Sequence, residues 1–280
     1  MSAIRTQPGF SLVELMVAMT IGLIITMVIG QLFVGNQRTY TVLYENARIQ
    51  ENARFAVAML DREIRMAGFK RSECAVVDCF FDSGANAALA GANDGGTNLS
   101  DSIQVQFFGS DNTAATATDN SVVDCLGNSK RMTERVNDTF LIAPDPANGN
   151  EPTLFCQRAG DLAPGTALVS GVESMEILYG EDSNQADAMK SADRYLPQGD
   201  PSLQMDRVVS VRISLLLRSQ PGAAPSIDAR KYNHFGSQYA SGAVPPAGDL
   251  GSVFNAAGAN LDTRLRRIFQ TTIALRNRTN

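Results

Sequence analysis

The sequence predicts an α+β protein: a long N-terminal helix whose C-terminal half packs on an antiparallel β-sheet, with long loops between the strands. Three observations predict it. Residues Leu15 to Val34 are almost continuously apolar, apolar residues then step by threes and fours as far as Ala67, and from Ser102 onward short segments alternate apolar with polar. A chain of 280 residues can bury a sizeable core, and 44% hydrophobic against 19% charged residues is a globular balance.

The apolar run comes first. No residue between Glu14 and Arg38 carries a charge, and twenty helical residues span roughly 30 Å, the thickness of a bilayer's hydrocarbon core. A secretory signal peptide needs a shorter apolar stretch followed by a small-residue cleavage site. Here the run is too long, no A-x-A site follows it, and the chain after Arg38 stays in helical register. The segment therefore reads as an uncut membrane helix. Glu14 is the anomaly, because a carboxylate within an apolar helix costs several kcal/mol unless something pairs with it. The plainer alternative places Glu14 at the edge of the span, snorkelling to the headgroups.

The helix continues past the membrane. Ala47, Ala53, Val57, Leu60, Ile64 and Ala67 mark one face, and Glu45 with Arg48, Glu51 with Arg54 and Asp61 with Arg65 stand at helical pair spacing. Gly68 is the stop signal. Phe10 through Ala67 would be one helix about 87 Å long. Gly22, Gly30 and Gly35 each weaken it by about 1 kcal/mol relative to alanine, and no proline interrupts it.

The remainder reads as sheet. Ile103, Val105 and Phe107 alternate with polar neighbours, as do Val209, Val211, Ile213, Leu215 and Leu217. Shorter strands are expected at Thr139–Ala143, Thr153–Gln157, Ala167–Tyr179 with a break at Gly171, and Arg267–Leu275. Loops are expected over 83–101, 109–137, 181–204 and 219–263. The last carries Tyr232, His234, Phe235, Tyr239 and Phe254, either to dock a partner or as plain surface. No internal repeat is present.

A net charge of −5 gives no general attraction for nucleic acid. Arg264, Arg266, Arg267, Arg276 and Arg278 are expected on a solvated strand face. Four cysteines allow three pairings. Cys74 with Cys79 and Cys125 with Cys156 are the expected disulfides in an oxidising compartment, the first pair being local enough to close early. A zinc site is disfavoured, since there is no C-x₂-C and only one histidine. His234 with Ser237 lacks a marked acid partner. Asp182-Ser183-Asn184 with Asp187 lacks the glycine and terminal glutamate of a calcium loop. No metal, cofactor or catalytic residue is assigned, and an enzyme is not expected.

Pro8-Gly9-Phe10-Ser11-Leu12-Val13-Glu14-Leu15, behind a short leader with Arg5, resembles the processing signal of type IV prepilins. Further matches are Gly9–Leu23, Asp124-Cys125-Leu126-Gly127, Leu154-Phe155-Cys156, Gly171-Val172-Glu173 through Tyr179-Gly180, Val208–Leu217 and Leu275-Arg276-Asn277-Arg278. Together they resemble the PilW family of minor pilins along the whole chain. The resemblance implies a type IV pilin-like fold and a prepilin peptidase that cuts between Gly9 and Phe10 and methylates the new amine of Phe10. It implies that Glu14 sets assembly register against the amine of a neighbouring subunit, where low dielectric strengthens the pair.

The expected layout is a leader over 1–9, the helix over 10–68 with 10–34 in the membrane or filament core, and a periplasmic β-rich domain over 69–280. Expected partners are other minor pilins, the major pilin, the peptidase and a tip adhesin, with the inner membrane before assembly and no nucleic acid. The expected role is priming of pilus assembly at or near the tip. The alternatives are a large minor pseudopilin of a type II secretion system, or a singly anchored periplasmic binding protein or enzyme.

Overall fold

The computed structural model describes residues 9–72, 74, 79–81, 86–93, 100–184, 190–224, 226, 231–236, 252–253 and 262–278. One helix, α1 (Leu12–Met66), runs without interruption through Gly22, Gly30 and Gly35. Thr26 and Thr39 donate their hydroxyls back to the carbonyls of Gly22 and Gly35, so these polar groups are satisfied within the helix. Gly68 ends it with φ +75°, a left-handed conformation that suits glycine, and its N–H passes to the carbonyl of Gln106 at 2.9 Å.

Only the second half of α1 is packed. Ile49, Ala53, Ala56, Leu60 and Ile64 are buried along one stripe, with the acids Glu45 and Glu63 in the same line. Ala47, expected on this face, is exposed, and Val57 is half-buried at its edge. The three helix-surface pairs form, at 3.3 Å for Arg48–Glu45, 3.7 Å for Arg54–Glu51 and 2.7 Å for Arg65–Asp61.

The strands are β1 (Leu89–Ala92), β2 (Ser102–Phe108), β3 (Arg135–Asp145), β4 (Glu151–Arg158), β5 (Thr166–Ser170), β6 (Val172–Glu181), β7 (Arg194–Leu196), β8 (Val208–Arg218), β9 (Lys231–Tyr232), β10 (Ser252–Val253) and β11 (Arg266–Ala274). They form two principal antiparallel sheets where the sequence suggested one. The first has the order β1-β2-β3-β4-β5 and the second β11-β8-β6-β7, with β9 and β10 as a separate pair. Four of the expected loop segments therefore need correction: β1 lies within 83–101, the start of β3 within 109–137, β7 within 181–204, and β9 and β10 within 219–263. The new strands are short, and pairing with a neighbour makes them extended where the local pattern does not.

Gly171 is the seam between the sheets. Its N–H donates to Pro152 in the first sheet and its carbonyl accepts from Arg218 in the second, each at 2.8 Å. Its φ of +81° turns the chain from β5 into β6. Facing α1, both sheets contribute fully buried residues to one core, among them Ile103, Phe107, Phe140, Leu154, Met175, Ile213 and Leu215. Each such side chain contributes about 1.5–3 kcal/mol relative to exposure.

Of the terminal arginines expected on a solvated face, Arg267 and Arg276 are exposed, the Arg278 side chain lies outside the described residues, and Arg264 and Arg266 are instead drawn into the domain. Arg264 and Arg218 both grip Glu151 of β4, while Arg218 and Arg266 both grip Glu173 of β6. The Arg266 side chain is 1% exposed, and it also contacts Asp262. This network fastens the first sheet to the second. Arg267 is exposed and donates to the Asn46 amide oxygen on α1 at 2.9 Å.

Candidate functional site

From Gly9 to Thr41 every residue is exposed, including Phe10 at 85% and Leu23 at 73%. An 18-residue window of this half-helix has a mean hydropathy of 2.5, and none of that window is buried. A helix apolar on all sides and unpacked against its own domain needs lipid or other helices around it. Gly9 and Phe10 lie in exposed, non-helical backbone just ahead of α1, and Glu14 stands in the first turn. Glu14 has no ion-pair partner among the described residues. Residues 1–8 of the expected leader lie outside the described residues.

The packed half carries two buried acids, Glu45 and Glu63. Glu45 accepts from Arg48 and from the backbone N–H of Gln220 at 3.1 Å, which ties the helix to the chain just after β8. Glu63 is 1% exposed; one carboxylate oxygen takes a fork from Arg62, and the other is buried without a hydrogen-bond partner among the described residues. Arg62 also reaches the carbonyl of Asp124.

Around Glu63 lie Asp124 and Asp138, both buried, with Lys130 and Arg158 3.4 Å from Asp124. Burial pushes the Glu63 carboxyl up to about 7, against the pull of Arg62. Burial likewise lifts Asp138 to about 6, with Asp124 nearby adding to it and the Cys125 N–H opposing it. Asp124 goes the other way: burial opposes its charge, but bonds from the Asn128 backbone and side chain and the Leu126 N–H hold it below the usual carboxylate range.

Two disulfides are present, Cys74–Cys79 and Cys125–Cys156, with Cα separations of 6.1 and 6.5 Å. The second pins the Asp124–Asn128 turn to β4 beside Asp138. Cys125, Asp138 and Cys156 lie close enough together to suggest a metal site. As a disulfide, however, the two sulfurs offer no thiolate to a metal.

His234 is buried between two hydroxyls, 2.7 Å from Ser174 and 3.0 Å from Ser214. It anchors its segment on the outer face of the second sheet. Tyr232 and Phe235 beside it are half-buried. Tyr239, Phe254, Ser237 and Asp187 lie outside the described residues. Asp182 is buried and its N–H bonds to the Arg207 carbonyl. No local pattern announced the burial of Glu45, Glu63 or His234; the partners of Glu45 and His234 come from far along the chain.

A bare apolar half-helix with an acid near its start, continuous with a helix that backs a β domain, defines a subunit of the type IV pilin class. The family model of PilW, the type IV pilus-assembly protein W, matches residues 139–277, and that of the prokaryotic N-terminal methylation motif matches residues 4–30. Over residues 139–277 the chain is therefore similar to the PilW family, and at its N-terminus to proteins that carry the methylation motif. Among solved structures, the type IV-like pilin TTHA1219 from Thermus thermophilus aligns with a TM-score of 0.44 and 15% identity, over 82% of this chain and 98% of that one. A search of curated proteins gives no match.

Proposed function

We propose that this protein is a minor pilin that primes type IV pilus assembly and sits at or near the pilus tip, with other minor pilins around it and a tip adhesin above it. The observation that carries this is the uncovered apolar half of α1 with Glu14 in its first turn. Before assembly that half lies in the inner membrane, with the 69–280 domain in the periplasm. Prepilin peptidase removes residues 1–9 between Gly9 and Phe10 and methylates the amine of Phe10. On docking, helices of neighbouring subunits replace lipid around residues 10–34, and the amine of a neighbour neutralises Glu14. An isolated carboxylate in that setting would be strongly disfavoured, so the pair selects one axial register. The size of the two-sheet domain supports a place at the end of a filament, since a large domain is hard to fit in a closely packed shaft.

The test has two parts. Mass analysis of the membrane-extracted protein should give a mature N-terminus at methylated Phe10. Glu14→Ala should fold with an unchanged thermal midpoint yet be lost from purified pili. An intact Met1 terminus, or normal incorporation of Glu14→Ala, overturns the proposal.

A further inference from the structure

A cavity of about 520 Å³ opens where α1 leaves its apolar run. Val34, Gln37, Arg38, Thr41 and Val42 form its helix wall, and Gly222, Ala223, Ala224 and Thr263 form its domain wall. The spacing of the helix residues puts all five on one face. The domain wall is held in place, since Gly222 N–H donates to the Thr263 hydroxyl at 2.9 Å and Ala224 N–H to the Thr263 carbonyl at 2.8 Å. Ala223 is 4% exposed, so this wall is a packed surface.

Its height relative to a bilayer follows from the helix. If the hydrocarbon span ends at Val34, Arg38 stands about 6 Å above that boundary and Val42 about 12 Å. The headgroup layer on one side of a bilayer is about 5–8 Å thick. The cavity therefore begins at headgroup depth. Tyr40, exposed at 72%, stands about 9 Å above the boundary, at the outer edge of the headgroups, and stacks 6.4 Å from Tyr44 one turn further out. An exposed tyrosine at the height of Tyr40 suits the aromatic belt of a membrane–water boundary.

The lining also suits a headgroup. Arg38 is a cation with no ion-pair partner among the described residues. The neighbouring acid Asp262 is taken by Arg264 and Arg266, so it does not cancel the charge of Arg38. The Gln37 side chain supplies a further polar group, and Val34 and Val42 supply apolar contact at either end.

We propose that this cavity binds the headgroup of one anionic phospholipid from the periplasmic leaflet, with its phosphate on Arg38. The site rests on the reading of the apolar half-helix as a membrane span before assembly. The bound lipid seats the domain base on the membrane surface and fixes which face of the helix looks toward the domain. Assembly then requires the lipid to leave.

The experiment uses the full chain in nanodiscs of phosphatidylglycerol mixed with phosphatidylcholine, with retained lipid counted by native mass spectrometry. The wild type should keep one phosphatidylglycerol. Arg38→Gln should lower retention about fivefold, the factor expected for one arginine at an anionic surface. Thr41→Phe, which fills the cavity from an exposed helix position, should lower it at least as far. Arg54→Gln, an exposed helix arginine away from the cavity, should retain lipid as the wild type does. Wild-type retention by both Arg38→Gln and Thr41→Phe would place the lipid on the bare helix and overturn the site while leaving the membrane reading intact. A chain that fails to enter the nanodisc at all overturns both.

Discussion

Asp138 accepts the backbone N–H of Cys125 at 2.7 Å, so a buried carboxylate of β3 closes the turn whose disulfide ends on the next strand. Glu63 approaches the same cluster from the helix. Acid chemistry and helix–sheet packing therefore meet at one place.

Stability should depend on pH through these two acids. Glu63 is raised from 4.5 to about 7 and Asp138 from 3.8 to about 6, mainly by burial. The native state thus holds protons that the unfolded chain has already released between about pH 4 and 7, and stability falls as pH rises through that window. A tenfold difference in a group's acidity between the folded and unfolded chain is worth about 1.4 kcal/mol, so the loss by pH 8 is a few kcal/mol. The thermal midpoint in detergent should be higher at pH 5.5 than at pH 8. Glu63→Gln, which mimics the protonated acid, should remove much of that slope. A midpoint flat between the two pH values would contradict this.

Arg266→Ala takes from Glu173 the guanidinium that holds it at 2.6 Å and breaks the tie between β6 and β11. Removing one member of a buried ionic network costs about 3–5 kcal/mol. Chemical denaturation should show a loss of that order. Arg267→Ala, at an exposed neighbour, should cost less than about 1 kcal/mol.

The two disulfides should contribute unequally. Cys125–Cys156 closes a loop of 31 residues' separation and Cys74–Cys79 one of 5. Loop-closure entropy assigns about 3.7 kcal/mol to the longer and about 2 kcal/mol to the shorter. Serine replacement of Cys125 and Cys156 should therefore lower the thermal midpoint more than replacement of Cys74 and Cys79.

Gly171→Ala tests the seam between the sheets. At φ +81° an L side chain is strained, and the new Cβ would lie 3.0 Å from the Arg218 carbonyl oxygen. The left-handed conformation alone costs about 1–2 kcal/mol. Differential scanning calorimetry should show that loss, whereas Gly149→Ala, at similar φ but in open space, isolates the conformational part.

Much of this architecture was legible in the sequence. The unbroken helix, the long strand at β8, the alternation in β2 and the break at Gly171 all follow from periodicity and one glycine. The division into two sheets did not follow, because strand segments do not say which neighbour they pair with. β1 and β7 lacked a pattern of their own. Ala47 shows the limit of a three-and-four count, since the true stripe runs through Glu45 and Ile49, and a glutamate is ordinarily assigned to water. Arg266 misled for the same reason: its partner Glu173 lies 93 residues away. In the candidate site the motif around Gly9, Phe10 and Glu14 was plain, being local. The cavity beside Arg38 was not, because its second wall comes from Gly222 to Ala224.

The continuity of α1 has a mechanical consequence. With no hinge between Leu12 and Met66, the domain turns with its stem like a key on its shank. One residue inserted near Thr41 would rotate the domain about 100° around the stem and lift it about 1.5 Å. The azimuth at which this subunit presents its outer faces is therefore encoded in the length of the stem as much as in the faces themselves.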